Sequence, residues 1–383
     1  MDERKEYDMR LRCCLFTEFA RYIRKNQNKI IMFGAGVIGQ VTAPEIMKIH
    51  NLLSNIECYI DNDREKWGTV ISVYEKELFV YSPDYLKKCG NDTVIMLNIS
   101  RFSDAVNQLE RMECTDKMDC YIMPMMCIHN FCIQKSGGKA IMNEKPLIPK
   151  KIHYMWLGKQ KISDKLQKCI DSWKRYCPDY EIVRWDETNY DYKKVMYMKD
   201  AYELGAYGFV PDYARLDILY HNGGIYMDTD VEVRKSLDPL LYQEAFCGVE
   251  KWQILNFGGC SGAIKGCSIL KRILDAREQV QFIDRNGKRN NTTCGFYDTR
   301  AAIKEGYILN GTTQNVSGMN IYASDYFHPY DYMSGTVNCT ENTFSVHWFN
   351  GGWLDEKMKQ ENEDAVIRFE RTYRCSLKNC EIY

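Results

Sequence analysis

Asp228, Thr229 and Asp230 follow a short apolar run, Ile225, Tyr226 and Met227, in a chain of 383 residues. In extended backbone alternate side chains share a face, so the spacing predicts Asp228 and Asp230 on one side and Thr229 on the other. Two carboxylates that close repel unless a cation lies between them. Hard oxygen ligands select magnesium or manganese, and diphosphate oxygens can fill the remaining positions. A cation there would take up the charge that develops on a departing diphosphate. Alone, an Asp-x-Asp is weak, because short acidic motifs also arise by chance in solvated turns.

The segment before it gives the motif a setting. Residues 211–221 are predicted helical, with Pro211 in the first turn, where its missing N–H costs nothing. Gly223 and Gly224 suit the helix end, where a left-handed residue is needed. Residues 225–227 then rise as a buried strand into the acidic triplet. Asp212 and Arg215 are three apart on the helix and share a face. Asp212 has the chemistry to hold sugar hydroxyls, and Arg215 to bridge a hydroxyl or phosphate and Asp212 itself. The alternative is an ordinary surface ion pair.

Wider patterning gives an α/β protein with two sheets. Residues 1–28 read as one amphipathic helix, with Leu11, Leu15, Phe19 and Tyr22 at helical spacing. Its basic residues leave room for contact with anionic lipid, against the plainer reading of a helix packed on its neighbour. Residues 29–125 alternate strand and helix, which implies a Rossmann-like parallel sheet. Strands are predicted at 29–33, 56–60, 93–97 and 120–123. Residues 126–147 lack a period and read as a linker. Residues 148–383 form the larger unit, with strands at 151–156, 181–185, 225–227 and 245–249 and helices at 163–176, 192–202 and 268–279.

Gly34, Gly36 and Gly39 follow the first strand and open a helix, the context of a dinucleotide fingerprint. Asp61 ends the second strand, where it could accept from a ribose hydroxyl. This loop leaves room for a second nucleotide in the N-terminal domain; a structural or docking module with an empty loop is the other reading.

Composition narrows the class. Hydrophobic residues are 45% and charged residues 27%, ordinary for a folded domain. Net charge is −1, so nothing points to nucleic acid. Seventeen cysteines are an odd number, none at Cys-x-x-Cys spacing, which favours small core thiols in a reducing cytosol over disulfides or zinc. No apolar run is long enough for a transmembrane helix.

Across 209–230 the sequence resembles the sugar-binding region of glycosyltransferase family 32, the capsular polysaccharide and yeast-type mannosyltransferases. It is similar, more distantly, to the glucosylating domain of large clostridial toxins. Residues 148–158 and 172–186 resemble the family's first two strands and the helix between them. The resemblance covers roughly 148–350 and implies a GT-A fold and retention of anomeric configuration. It implies that Asp212 and Arg215 contact the donor sugar, that Asp228 contacts ribose and metal, and that Asp230 is the principal metal ligand. No protein base is implied; attack from the front face is assisted by the leaving phosphate.

Residues 344–353 resemble the family's last block. His347 could join the metal through a neutral ring nitrogen, or be a hydrogen-bonded core histidine. Trp348 and Trp353 could close over the donor, and Trp156 could stack on its base, against ordinary packing for all three. Tyr226 is grouped with the donor contacts. Residues 256–263 form a glycine-rich loop where the family meets donor and acceptor. His50, His129, His221 and His328 show no partner pattern and read as structural.

The expectation is a metal-dependent hexosyltransferase using Mn2+ or Mg2+ and a nucleotide-sugar, a UDP-sugar favoured. Its acceptor would be a glycan or lipid-linked glycan in surface polysaccharide synthesis, and its place the cytoplasm or the inner face of the membrane. The alternatives are a nucleotide-sensing protein with an inactive transferase domain, and an NAD-dependent oxidoreductase resting on the glycine loop alone.

Overall fold

The computed structural model describes residues 10–116, 118–133, 138–284, 287–332 and 336–350. They form two compact units divided between residues 135 and 136. No helix among them is long and apolar enough to cross a membrane. The cysteines whose side chains are described form no disulfide.

In the first unit seven strands run in the order Arg10–Arg12, Asp119–Ile122, Thr93–Leu97, Lys29–Phe33, Ile56–Ile60, Lys76–Tyr81, Val70–Val73. All neighbours are parallel except the last two, an antiparallel hairpin. The three central strands have the expected bounds, because each is a short apolar run buried on both faces. The start of the chain differs from the single helix expected over 1–28. Residues 10–12 are a strand and the helix is Phe16–Asn26; residues 1–9 lie outside the described residues. The cause is Asp119, 4% exposed, which accepts from Arg12 Nε at 3.0 Å and from the Tyr22 hydroxyl at 2.7 Å, with Arg10 Nε also 3.0 Å away. A buried carboxylate needs such partners, so two of the basic residues read from the sequence, Arg10 and Arg12, are engaged by Asp119, while Arg21, Arg24 and Lys25 are exposed. The helix buries Phe16, Phe19, Ala20 and Ile23, so of the stripe read from the sequence Phe19 is buried in it while Tyr22 is exposed. The start of the expected linker is also structured: helix covers Met123–Cys127 and continues over Ile128–Ile133.

The second unit has a mixed sheet in the order Gln314–Val316, Met319–Tyr322, Ala245–Val249, Ser261–Ala263, Gly224–Tyr226, Lys151–Met155, Glu181–Trp185. Alternate residues of its strands enter different cores. Tyr226, Ala245, Cys247 and Met155 join one, and Ile225, Phe246, Ile152 and Tyr154 the other. Both faces are therefore dry, and loops at the strand ends are the places left for polar chemistry.

The helix Asp164–Tyr176 starts on Ser163, whose hydroxyl accepts from the Leu166 N–H at 3.4 Å. It buries Leu166, Cys169, Ile170 and Trp173, with Ile170 and Trp173 in the second core. Trp173 is fully buried, and its indole N–H donates to the Val231 carbonyl at 2.7 Å, one residue past the acidic triplet. Trp173→Ala should lower stability by about 3–5 kcal/mol, read from denaturant midpoints. A loss below about 1 kcal/mol would contradict this helix's role as the support of that turn.

Candidate active site

The helix Val210–Asn222 has Pro211 in its first turn and stops on Gly223, as its sequence predicts. Gly223 and Gly224 have φ of +69° and +103°. A Cβ at Gly224 would lie 2.8 Å from His153 Nε2, so the turn needs glycine on both counts. His153 is spent on this turn. Its Nδ1 accepts from the Trp185 indole at 3.1 Å, which leaves Nε2–H to donate to the Gly223 carbonyl at 2.9 Å.

The acidic pair meets by a route other than alternation along a strand. The strand ends at Tyr226, and the Val231 N–H returns to the Asp228 carbonyl at 3.1 Å. Thr229 and Asp230 are thus the corner of a turn. The next strand, Val231–Val233, pairs antiparallel with Ser345–His347, placing His347 opposite Val231. Asp228, Asp230 and His347 come together, one ligand atom from each lying within 4.8 Å of the others. His347 Nε2 is 3.3 Å from Asp230 Oδ1, and the Asn350 N–H donates to Asp230 Oδ2 at 2.7 Å.

Arg215 faces this group from the helix. Its Nη2 is 3.2 Å from Asp212 Oδ1 and 3.4 Å from Asp228 Oδ2, with both groups of the helix almost buried. The pair is therefore no surface ion pair, and its field is little screened. Tyr226, grouped above with the donor contacts, is fully buried with its ring under the guanidinium at 5.9 Å. It supports Arg215 and shows no face to a ligand. Arg215 Nη1 also reaches the Cys294 thiol at 3.8 Å.

The charges are unbalanced. Three carboxylates, Asp212, Asp228 and Asp230, surround one permanent cation. Burial pushes Asp228 up, which Arg215 and His347 oppose without cancelling. Burial also acts on Asp230, but His347 and the Asn350 N–H outweigh it and hold this carboxyl low. Burial pulls the His347 imidazole down, and the two carboxylates overcome it and raise it. A donor set of two carboxylates and one imidazole with surplus negative charge fits a divalent cation.

The glycine-rich loop backs this set. Asn256 Oδ1 accepts from the N–H groups of Gly258 and Gly259 at 2.8 and 3.0 Å. A Cβ at Gly258 would sit 2.1 Å from Asp228 Oδ2, and one at Gly259 2.1 Å from His328 Nε2. His328, read above as structural, lies 5.7 Å from His347 between ring centres, its ring packed against Gly248 and Gly259. No spacing signal links two histidines 19 positions apart on different elements. Phe349 stacks on His347 at 4.1 Å with φ of +46°, a strained position for a non-glycine residue.

The aromatic expectations divide. Trp348 donates its indole N–H to Glu232 Oε2 at 3.0 Å and its backbone N–H to the Asp230 carbonyl at 3.1 Å, so it pins the turn. Trp156 is half-buried, bonding to Trp185 and Gln160. Trp353 lies outside the described residues. In the first unit, Asp61 Oδ2 accepts from the Ala35 N–H at 2.7 Å and lies 3.1 Å from Lys66 Nζ. The carboxylate expected to take a ribose hydroxyl is already satisfied by its own loop. Gly34 and Gly39 meet in the tight turn, where a Cβ at Gly39 would lie 1.9 Å from the Gly34 carbonyl oxygen; Gly36 faces open space.

Residues 163–247 match the family described as a glycosyltransferase sugar-binding region containing a DXD motif. The chain is 32% identical over 120 residues to inositol phosphoceramide mannosyltransferase 1 of Schizosaccharomyces pombe, covering 29% of this chain and 37% of that protein. It is 35% identical over 131 residues to a mannosyl phosphorylinositol ceramide synthase of Saccharomyces cerevisiae, covering 30% and 33%. The match thus spans about a third of the length of these relatives. Among solved structures, the galactosyltransferase LgtC in complex with donor and acceptor sugar analogues is 13% identical, covering 56% of this chain and 95% of that one, with a TM-score of 0.30. The resemblance read from 209–230 is borne out, and the chain carries a glycosyltransferase domain of the DXD type.

Two outcomes follow from the geometry. Gly258→Ala should displace the Asp228 carboxylate and weaken Mn2+ binding at least about tenfold, read by electron paramagnetic resonance titration; unchanged affinity would refute the packing argument. His347 must lose its raised proton before it can ligate. Mn2+ affinity should therefore climb as pH rises through the neutral range, and His347→Gln should flatten the climb.

Proposed function

We propose that this protein is a metal-dependent, retaining hexosyltransferase that uses a nucleotide-sugar, a UDP-sugar favoured, and delivers the sugar to a glycan or lipid-linked glycan. The observation that carries this reading is the convergence of Asp228, Asp230 and His347 beside the buried Asp212–Arg215 pair. The relatives named as mannosyltransferases of inositol phosphoceramide support a hexose and a lipid-linked acceptor. Surface polysaccharide synthesis is the proposed setting, and the lack of disulfides among the described cysteines supports a reducing, cytoplasmic site of action.

In this reading Asp228, Asp230 and His347 would hold Mn2+ or Mg2+, which would supply positive charge to the leaving diphosphate. Asp228 also faces the ribose. Asp212 accepts hydroxyl hydrogens of the donor sugar, with Arg215 fixing its orientation and donating to a hydroxyl or phosphate oxygen. Tyr226 and the Gly258–Gly259 backbone keep these groups from relaxing apart, so little reorganisation remains for the reaction itself. Transfer breaks the bond from the anomeric carbon to the diphosphate oxygen and forms one to the acceptor oxygen on the same face. The acceptor proton passes to the leaving phosphate, so no side chain serves as base. The intact acidic and basic set argues against an inactive, nucleotide-sensing domain.

A panel of UDP- and GDP-sugars with Mn2+ tests the reading through release of nucleoside diphosphate. At least one donor should turn over, EDTA should stop it, and Mn2+ should restore it. Asp230→Ala should reduce the rate at least about 100-fold with the fold unchanged by circular dichroism. Full activity after exhaustive chelation would end the metal assignment.

A further inference from the structure

The two oxygens of Asp212 are held from different sides. Oδ1 lies 3.2 Å from Arg215 Nη2, and Oδ2 lies 3.5 Å from the hydroxyl of Tyr197, on the helix Met196–Glu203. Asp212 keeps 12% of its side chain exposed, the part a ligand can reach. Tyr197 is 2% exposed, and a hydroxyl so deep needs an acceptor. Burial, and after it the Asp212 carboxylate, push this phenol up, so the hydroxyl keeps its proton and serves as a donor.

Without that hydroxyl another pairing is open to Asp212. Arginine and carboxylate favour a bidentate fork, in which both oxygens face the guanidinium. Such a fork would turn Oδ2 toward Arg215 and leave neither oxygen directed at a ligand. The guanidinium is tied at its other nitrogens, Nε donating to the Pro211 carbonyl at 3.1 Å and Nη1 lying 3.8 Å from the Cys294 sulfur. The Tyr197 hydroxyl opposes the turn from the carboxylate's side. A carboxylate has about four lone-pair positions. Two fixed donors therefore leave room for a sugar hydroxyl and set the direction from which it must come.

Tyr197 is itself braced. Arg277 lies 5.8 Å from its ring centre and 5.7 Å from that of Tyr297. Nη1 of Arg277 is 3.0 Å from Asp298 Oδ1 and 3.4 Å from the Cys294 carbonyl, with both charged side chains buried. This pair joins the Tyr197 ring to Cys294, and through its sulfur to Arg215. The helix Cys294–Lys304 that carries Cys294 is closely seated. A Cβ at Gly295 would lie 2.5 Å from Ile254 Cγ2, and the Thr299 hydroxyl accepts from the Leu255 N–H at 2.9 Å. We propose that Tyr197 is a positioning residue for the donor sugar, its hydroxyl keeping Asp212 Oδ2 from closing on Arg215 while the Arg277–Asp298 pair holds the ring in place. It thereby sets how strictly the protein requires the donor hydroxyl that Asp212 receives. This inference rests on the transferase reading above.

The test uses the full chain with Mn2+, a donor that turns over in the panel above, the matching nucleoside diphosphate, and monodeoxy analogues of that donor. Tyr197→Phe keeps the ring and removes the hydroxyl. By calorimetry its affinity for the nucleotide-sugar should fall at least about fivefold, while the nucleoside diphosphate binds within about twofold of the unaltered protein. One deoxy analogue should bind the unaltered protein at least about fivefold more weakly than the donor, and Tyr197→Phe should narrow that gap. In an Asp212→Asn background the same change should cost less than about twofold, because the carboxylate it acts through is gone. Equal losses in both backgrounds, equal losses for donor and nucleoside diphosphate, or an unchanged gap for the deoxy analogues would overturn the positioning role and leave Tyr197 a packing residue. Absence of turnover with every donor would instead remove the transferase reading, and this inference with it.

Discussion

The organising constraint in this protein is an excess of buried negative charge. Asp212 and Asp228 grip the same guanidinium at 3.2 and 3.4 Å, while Asp230 lies 3.3 Å from His347. In a poorly solvated site like charges this close are costly, and the raised Asp228 carboxyl reports that cost. Much of the surrounding structure opposes relaxation. Tyr226 lies under Arg215, Gly258 leaves no gap behind Asp228, and the Asn350 N–H fixes Asp230. The arrangement stores an affinity for cations, in the way strained sites hold unfavourable geometry against a surrounding that over-determines it.

Much of this was legible in the sequence, for physical reasons. The double-glycine stop after residue 222 has one common use, and both glycines take the left-handed backbone it requires. Short apolar runs flanked by turn residues marked the buried strands of both sheets, and those at 29–33, 56–60, 93–97, 181–185 and 245–249 have the bounds read from them. What failed was anything set by contacts distant in sequence. Residues 10–12 carry no strand pattern of their own and become a strand because Asp119 gives their arginines a partner. The acidic pair was expected on one face of an extended chain. A turn brings the carboxylates together instead, and the partner strand 345–347 stabilises that turn. His328 could not be found by spacing, since its nearness to His347 is set only by the fold.

The glycine loop of the first unit shows why a motif's context and its occupancy are different questions. Strand, turn and helix occur in the expected order, and Gly39 is required by its approach to Gly34. Yet Asp61 is turned inward, bonded to Ala35 and paired with Lys66. The backbone rule is satisfied by tight turns of any purpose, whereas ligand binding depends on which polar groups remain unsatisfied.

The pairing of Val231–Val233 with Ser345–His347 joins positions more than a hundred residues apart. A ribosome releases the acidic turn long before it releases the strand that completes it. The sheet that carries Asp228 can begin to collapse while the histidine is still being synthesised, and long-range pairing of this kind is slow. Competence to hold a cation therefore arrives late in the birth of each molecule. A nascent or prematurely terminated chain ending before residue 345 would keep its carboxylates without their imidazole.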